Sequence, residues 1–445
     1  DEGFQPLELQ RFEGTVTENI QKNSQKRLKL QEEIDSILSE IKELAAEKPH
    51  IEDYQDILTI ELDKKKTRSK LLKTKKTFYM EGWVPTPVVD NVAKVLTDEG
   101  CSFEFSDPAE GEEPPVLLET SKFASPFEAI TEMYALPTYE GFDPTNIFSI
   151  FYAFFFGIML SDAGYGLVLT IVCWIVLKKY AIEGTMQKLF KMFFTCGLFT
   201  IFWGVMFGGY FGDLFQVWAS TVFGKTITIK PLWFNPMDDP TKLLIFSLLF
   251  GCVHLFVGMG IDMYMKIKRG DVADAILDQV PWYMVIIGAG CWLGGGAISP
   301  ALTKPGMYLT IAGLVVLLFT GGRHSESIFG KITGGLSSVY GITGWISDIL
   351  SYARLLALGL ATGVIASVVN LLGSMIGTGF KGAVALIIIG LFGHIFSMAI
   401  NVLGAFVHSS RLQYVEFFGK FYEDGGEPFK PFLRNTTYVK INDHK

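Results

Sequence analysis

A chain of 445 residues with 46 glycines, 37 phenylalanines and 49% hydrophobic residues is richer in apolar and small side chains than an ordinary soluble domain. Its net charge of −8, with no arginine-rich or aromatic-interleaved basic stripe, excludes a nucleic-acid binder that tracks phosphates. The bias is uneven: residues 1 to about 140 are dense in Lys, Glu and Asp, whereas residues 145 to 420 hold repeated apolar stretches of the roughly 20 residues that cross a bilayer. The expected fold is therefore a mainly α membrane protein behind a polar N-terminal region. Cys101, Cys173, Cys196, Cys252 and Cys291 are far apart without CxxC spacing and read as small core residues rather than disulfides or metal ligands. The sequence opens on Asp with no signal peptide, so the polar part is expected to stay in the cytoplasm and the natural chain to be longer at its N-terminus.

From Thr15 to Ala46, Ile20, Leu30, Ile34, Ile37, Leu38, Ile41, Leu44 and Ala45 recur at three- and four-residue intervals, the pattern of an amphipathic helix. A break at Lys48-Pro49-His50 and a second charged stretch, Ile51 to Lys75, suggest a coiled-coil hairpin over about 15–75. Thr77–Pro85 reads as a strand, Val88–Glu99 as a helix and Cys101–Phe105 as another strand, a partial α/β lobe over about 76–106. An acidic, proline-bearing linker follows at about 107–143 and completes a cytoplasmic arm of residues 1–143.

A transmembrane domain is expected over 144–420, with a cytoplasmic tail over 421–445. Its candidate crossings are Asn146–Leu160, Gly164–Val176, Leu189–Phe207, Leu243–Met263, Trp282–Ile298, Met307–Phe319, Tyr340–Leu372 and Ala383–Arg411, eight in all. Lys178, Lys179, Lys188 and Lys191, then Lys266, Lys268 and Arg269, then Arg323 and Lys331 fall on one side, which the positive-inside rule makes cytoplasmic along with both termini. Ala219–Thr226 fits the loose AxxxxGKT form of a phosphate-binding loop. It precedes the β-branched Ile227-Thr228-Ile229 rather than joining a strand to a helix, so nucleotide binding is not expected. The glycines at 288, 290 and 294–296 suit close helix packing.

The last two crossings, both longer than a bilayer needs, are expected to be tilted. Arg354 lies mid-run in Ser351–Ala361, where an arginine costs about 2.5–3.5 kcal/mol to insert and cannot shed its charge. Ser347, Ser351, Leu358 and Ala361 share its helical face, whereas Asp348 points away. On the eighth crossing His394, Asn401 and His408 recur every seven residues, with Ser397, Gly404 and Arg411 three later, one polar stripe along the helix. Such a stripe lines water or packs on polar neighbours. The competing structural readings are polar glue between helices, snorkelling for Arg411 and a buried ion pair for Arg354.

The strings Ser351-Tyr352-Ala353-Arg354-Leu355-Leu356-Ala357-Leu358-Gly359-Leu360-Ala361 and His408-Ser409-Ser410-Arg411-Leu412-Gln413-Tyr414-Val415-Glu416-Phe417, with Ser161-Asp162-Ala163-Gly164-Tyr165-Gly166, closely resemble the membrane stator subunit (subunit a or I) of V-type and archaeal-type rotary ATPases. The resemblance covers nearly the whole chain, without that family's first lobe half and distal lobe. It implies a non-hydrolytic subunit without cofactor, metal or nucleotide site. Such a subunit offers two half-channels for H⁺ or Na⁺ and an essential arginine, matched by Arg354, to a proteolipid c/K ring. Arg411 matches a second family arginine, with His408 at a polar position beside it. Glu416 lies in the same motif, and Ser351, Ser397, Asn401 and His394 join the candidate path by helical face. The implied partners are the ring, peripheral-stalk subunits E and G, the central-stalk-side subunit d/C and the lipid bilayer, in a bacterial or archaeal plasma membrane. The alternatives from other classes are a self-contained secondary transporter or channel, for which no internal repeat is visible, and a structural tether, which would not need Arg354.

Overall fold

Thr15 starts the first helix: its hydroxyl accepts from the Glu18 amide while the Glu18 carboxylate accepts from the Thr15 amide, a reciprocal capping box. The computed structural model describes residues 15–109, 111–180, 182–298, 300–323, 327–433, 436 and 438, in two units, Asp1–Cys101 with Lys430–Lys445, and Ser102–Phe429. In the first unit, α1 (Val16–Ser69) runs for 54 residues straight through Pro49. The expected hairpin is therefore absent. A proline costs an exposed helix one backbone hydrogen bond and a bend, whereas reversal needs residues that leave the α-region, and Glu47–Ile51 contains neither Gly nor Asn. The Tyr438 amide donates to Asp56 of α1 at 2.9 Å.

The α/β lobe is smaller than its pattern suggests. Strand β1 (Leu72–Lys73) pairs antiparallel with β2 (Phe78–Tyr79), and a 3₁₀ turn (Thr86–Val88) leads into α2 (Val89–Asp98). The strand expected over Thr77–Pro85 stops at these two paired residues, and Cys101–Phe105 forms none. Among the described residues neither segment has a further edge to bond, and backbone without a partner in the sheet stays irregular.

In the second unit α3 (Glu128–Tyr134) buries Ala129 and Ile130 beside Phe127, the residue before it. Strand β3 (Leu136–Pro137) pairs with β4 (Asp424–Gly426), so the segment after the last helix returns beside the segment before the first membrane-type helix. The helices α4 (Thr145–Leu160), α5 (Ala163–Lys179), α6 (Gly184–Phe207), α7 (Leu214–Phe223), α8 (Pro240–Lys268), α9 (Val272–Ile298), α10 (Thr303–Thr320), α11 (Ile328–Tyr340), α12 (Ile342–Ser351), α13 (Ala353–Ser374) and α14 (Gly379–Arg411) follow. Among the described residues six helical stretches are long and apolar enough to cross a membrane: Gly184–Phe207, Pro240–Lys268, Val272–Gly295, Pro300–Thr320, Ile328–Ser374 and Gly379–Lys420. The protein is an integral membrane protein. The first two expected crossings are helices where hydropathy placed them, but α4 and α5 have 16 and 17 residues, separated by Ser161 in the left-handed region at φ 35°. The seventh is interrupted at Gly341 and Tyr352. The loosely phosphate-loop-like run ends α7 at left-handed Gly224 instead of opening a helix.

Small residues let α5 and α6 approach closely. A Cβ on Gly204 would lie 2.0 Å from the Ala163 nitrogen, and one on Gly197 would lie 2.4 Å from the Thr170 hydroxyl. Gly204→Ala should therefore destabilise the fold by about 1–3 kcal/mol or more, as overpacking does. Gly290→Ala, whose Cβ meets nothing within 4 Å, should be neutral. Thermal unfolding of the two variants in detergent checks this, and equal midpoints would refute it.

Candidate functional site

Tyr352 breaks the helix two residues before Arg354, and the α14 helix runs on into a π-helical turn, Leu412–Phe417. A π-turn is a costly local geometry that recurs at functional sites because it re-aims side chains. Here it carries Glu416 to Arg354: guanidinium Nη2 donates to Glu416 Oε1 at 2.6 Å. The Glu416 side chain is 2% exposed and that of Arg354 20%, so the pair sits largely inside the protein. Arg354 Nη1 and Glu416 Oε2 are buried without partners among the described residues. An ion pair of this kind repays its desolvation only if its remaining donors and acceptors find partners. Arg354 is thus both an ion-paired cation and one with donor capacity in reserve.

The residues chosen by helical face divide along α14. His394, Ser397 and Asn401 are buried. His394 Nδ1 is hydrogen-bonded to the Tyr165 hydroxyl at 2.8 Å and Nε2 to Asn370 Oδ1 at 2.9 Å, while Asn370 Nδ2 donates to Phe211 O and Asp213 Oδ1. Asn401 Nδ2 donates to the Ser397 hydroxyl at 3.0 Å. This half of the stripe binds α14 to α5, α13 and the start of α7. Towards the C-terminal end the buried line shifts to Ala405, Ser409, Leu412, Gln413 and Glu416. That leaves His408 half-buried, its Nδ1 buried without a partner among the described residues, and Arg411 exposed. Ser351 is half-buried at the end of α12. Asp348 accepts from Lys420 Nζ at 2.5 Å, and Lys420 also lies 3.7 Å over the Trp345 ring.

Three residues at this site were not singled out from the sequence: His254, Tyr352 and Gln413. His254, fully buried on α8, is hydrogen-bonded through Nδ1 to the Tyr352 hydroxyl at 2.8 Å and through Nε2 to Gln413 Oε1 at 3.1 Å. A sequence signal existed, since Ser247, Gly251, His254 and Gly258 form a small and polar stripe at helical spacing on α8. The stripe makes room: a Cβ on Gly251 would fall 2.3 Å from the Tyr352 ring.

Four of the basic residues counted for orientation are paired with carboxylates near helix ends. Lys188 meets Glu128 and Glu132 at 2.7 and 2.6 Å, Lys266 meets Asp262 at 2.9 Å, and Arg323 meets Asp274 and Asp278 at 2.7 Å each. Arg269 bonds Glu423 and holds its carboxyl below the ordinary carboxylate range. Among the described residues no group of three or more His, Cys, Asp or Glu could hold a metal ion.

The sequence model described as the V-type ATPase 116kDa subunit family matches residues 8–227 and 339–433. The chain belongs to that family. Similar proteins are the A-type ATP synthase subunit I of Methanocaldococcus jannaschii, 34% identical over 98% of this chain and 66% of the relative, and that of Pyrococcus abyssi, 35% identical over 97% and 65%. The V-type ATP synthase subunit I of Borreliella burgdorferi is 25% identical over 80% of this chain and 60% of its own length. The chain thus spans less than two thirds of the length of these relatives, 60–66%. Both segments of the family match bear on the site: 8–227 includes Tyr165 of the His394 network, and 339–433 includes Arg354, His394, Arg411 and Glu416.

Proposed function

We propose that this chain is the membrane stator subunit of an A/V-type rotary ATPase, in which Arg354 meets the carboxylates of a rotating proteolipid ring and separates two half-channels for H⁺ or Na⁺. One observation carries the reading. A guanidinium anchored on one side by Glu416 keeps a second nitrogen, Nη1, without a partner among the described residues. A permanent cation in that setting favours the ionised form of an arriving carboxylate and so lowers its affinity for the ion it carries. The same cation bars ions from passing directly between the half-channels, so transport requires rotation. The chain itself contributes no ATP hydrolysis in this reading.

His408 and Arg411, at the edge of the buried line, would border the ring, with Ser351 beside Arg354, and the His394–Ser397–Asn401 series would line or support one half-channel. The two shorter helices, about 24 and 26 Å long at ~1.5 Å per residue, would complete eight crossings. The stretches Ile328–Ser374 and Gly379–Lys420, 47 and 42 residues long, exceed a bilayer core of roughly 30 Å and would lie tilted against the ring. The lysine- and arginine-bearing helix ends would face the cytoplasm, with both termini. The polar region 1–143 would hold peripheral-stalk subunits E and G against rotor torque, and subunit d/C would sit beneath the ring.

The test is ATP-driven ion uptake by vesicles carrying the reconstituted complex, wild type against Arg354→Ala at equal assembly. Lost uptake supports this reading; undiminished uptake overturns it and leaves Arg354 a structural cation in a tether.

A further inference from the structure

His254 is fully buried at the middle of α8, its ring stacked on Phe417 at 4.3 Å and beside Phe151 at 4.5 Å. Among so many aromatic neighbours an imidazole is a poor choice for filling space alone, because both ring nitrogens need partners. Both have them. Gln413 Oε1 can only accept, so Nε2 carries the proton and donates to it, which leaves Nδ1 to accept from the Tyr352 hydroxyl. With the Gln413 amide oxygen turned to the ring, Tyr352 donates to His254 and His254 donates to Gln413, while Gln413 Nε2 is buried without a partner among the described residues.

Those partners hold the two charged residues of the site. Tyr352 forms the break between α12 and α13, two residues before Arg354, and Gln413 lies in the π-helical turn three residues before Glu416. The Arg354–Glu416 contact spans 62 residues of sequence and joins two helix discontinuities, each of which could relax to a regular helix and swing its charge away. α8 reaches both through one side chain, and Gly251 and Gly258 on the same helix make room for the Tyr352 and Phe417 rings packed against them. We infer that His254 is a positioning residue for ion translocation: through Tyr352 and Gln413 it fixes the helix break and the π-turn that bring Arg354 and Glu416 together. The inference rests on the reading of Arg354 given above.

His254→Phe keeps an aromatic ring of similar volume among its aromatic neighbours and removes both hydrogen bonds. In the assembled complex it should lower ATP-driven ion uptake by about tenfold to a hundredfold, the loss that misplacing a reacting group brings. ATP hydrolysis should fall less than uptake, so ions moved per ATP should fall, while the half-saturating ATP concentration should not change. His254→Gln, which offers one donor and one acceptor, should recover part of that ratio. Tyr352→Phe deletes a single oxygen and should lower the ratio less, and the double variant His254→Phe/Tyr352→Phe should be no worse than His254→Phe, because both act through one link. Uptake is read with a pH-sensitive dye for protons and radiolabelled sodium for Na⁺, with Arg354→Ala alongside. A wild-type ratio in His254→Phe or, should that variant not assemble, in Tyr352→Phe overturns the inference, as does a glutamine variant no better than phenylalanine. If Arg354→Ala itself pumps normally, the functional reading fails instead.

Discussion

Arg354→Lys should cost most of the ion transport although it keeps the positive charge. In the native site Nη2 is committed to Glu416 at 2.6 Å, while Nη1 stays without a partner among the described residues. A planar guanidinium can serve two carboxylates at once from a fixed fork, whereas an ammonium is a compact point charge on a flexible stem. Lysine at 354 would therefore spend its charge on Glu416, which is 2% exposed and cannot turn to water, and would offer a ring carboxylate a poorer and less fixed partner. Losing one hydrogen bond to a charged group is worth about 1.5–3 kcal/mol, a factor of roughly ten to a hundred in rate if the contact is made at the rate-limiting encounter. The measurement is initial ATP-driven uptake in vesicles at equal assembly. A lysine variant that pumps at the wild-type rate would show that charge alone suffices, and the fork geometry would lose its role.

Arg354 stands out in the sequence because a cation inside a long apolar run needs either a task or a buried partner. Its partner was only half legible. Glu416 belonged to the same motif as Arg411, yet pairing at a separation of 62 residues depends on the π-turn, which no hydrophobic period announces. The residues of the His394 stripe all lie on α14. Period alone could not tell that its first half turns inward to Tyr165 and Asn370 while Arg411 at its end faces outward. His254 escaped because a lone histidine in an apolar helix resembles filler until the helices on either side of it are known. In the polar region the helical period holds and the hairpin does not form: Lys48-Pro49-His50 predicts a break, but an exposed helix tolerates a proline where nothing enforces reversal. The breaks at Gly341 and Tyr352 were hidden for the opposite reason, since uninterrupted hydropathy looks the same whether a helix is straight or jointed.

Asp162→Ala should be the most destabilising single change in the membrane unit outside the Arg354 pair. Asp162 caps the start of α5, its Oδ1 accepting from the Tyr165 amide at 3.1 Å and from the Phe211 amide at 2.9 Å, and its Oδ2 from the Gly212 amide at 2.7 Å. The residue is 2% exposed, so no water replaces those acceptors. Each buried amide left unpaired costs about 1–3 kcal/mol, which puts three of them at roughly 3–9 kcal/mol before any relaxation. A negative group at a helix N-terminus also gains from the helix dipole, and alanine forfeits that too. Asn separates the two contributions. Its single oxygen can keep the Tyr165 and Phe211 bonds, but its amide would face the Gly212 N–H donor to donor, so Asp162→Asn should fall between wild type and Asp162→Ala. The damage should spread, because Phe211 and Asp213 in the same loop accept from Asn370, which in turn bonds His394. Loosening that loop frees one end of the α14 stripe. Thermal unfolding of the three proteins in detergent should order them wild type, Asn, Ala. If Asp162→Asn matches Asp162→Ala, the helix-cap charge rather than the count of amides is the dominant contribution, and if neither shifts the midpoint the carboxylate is not what ties α5 to the loop.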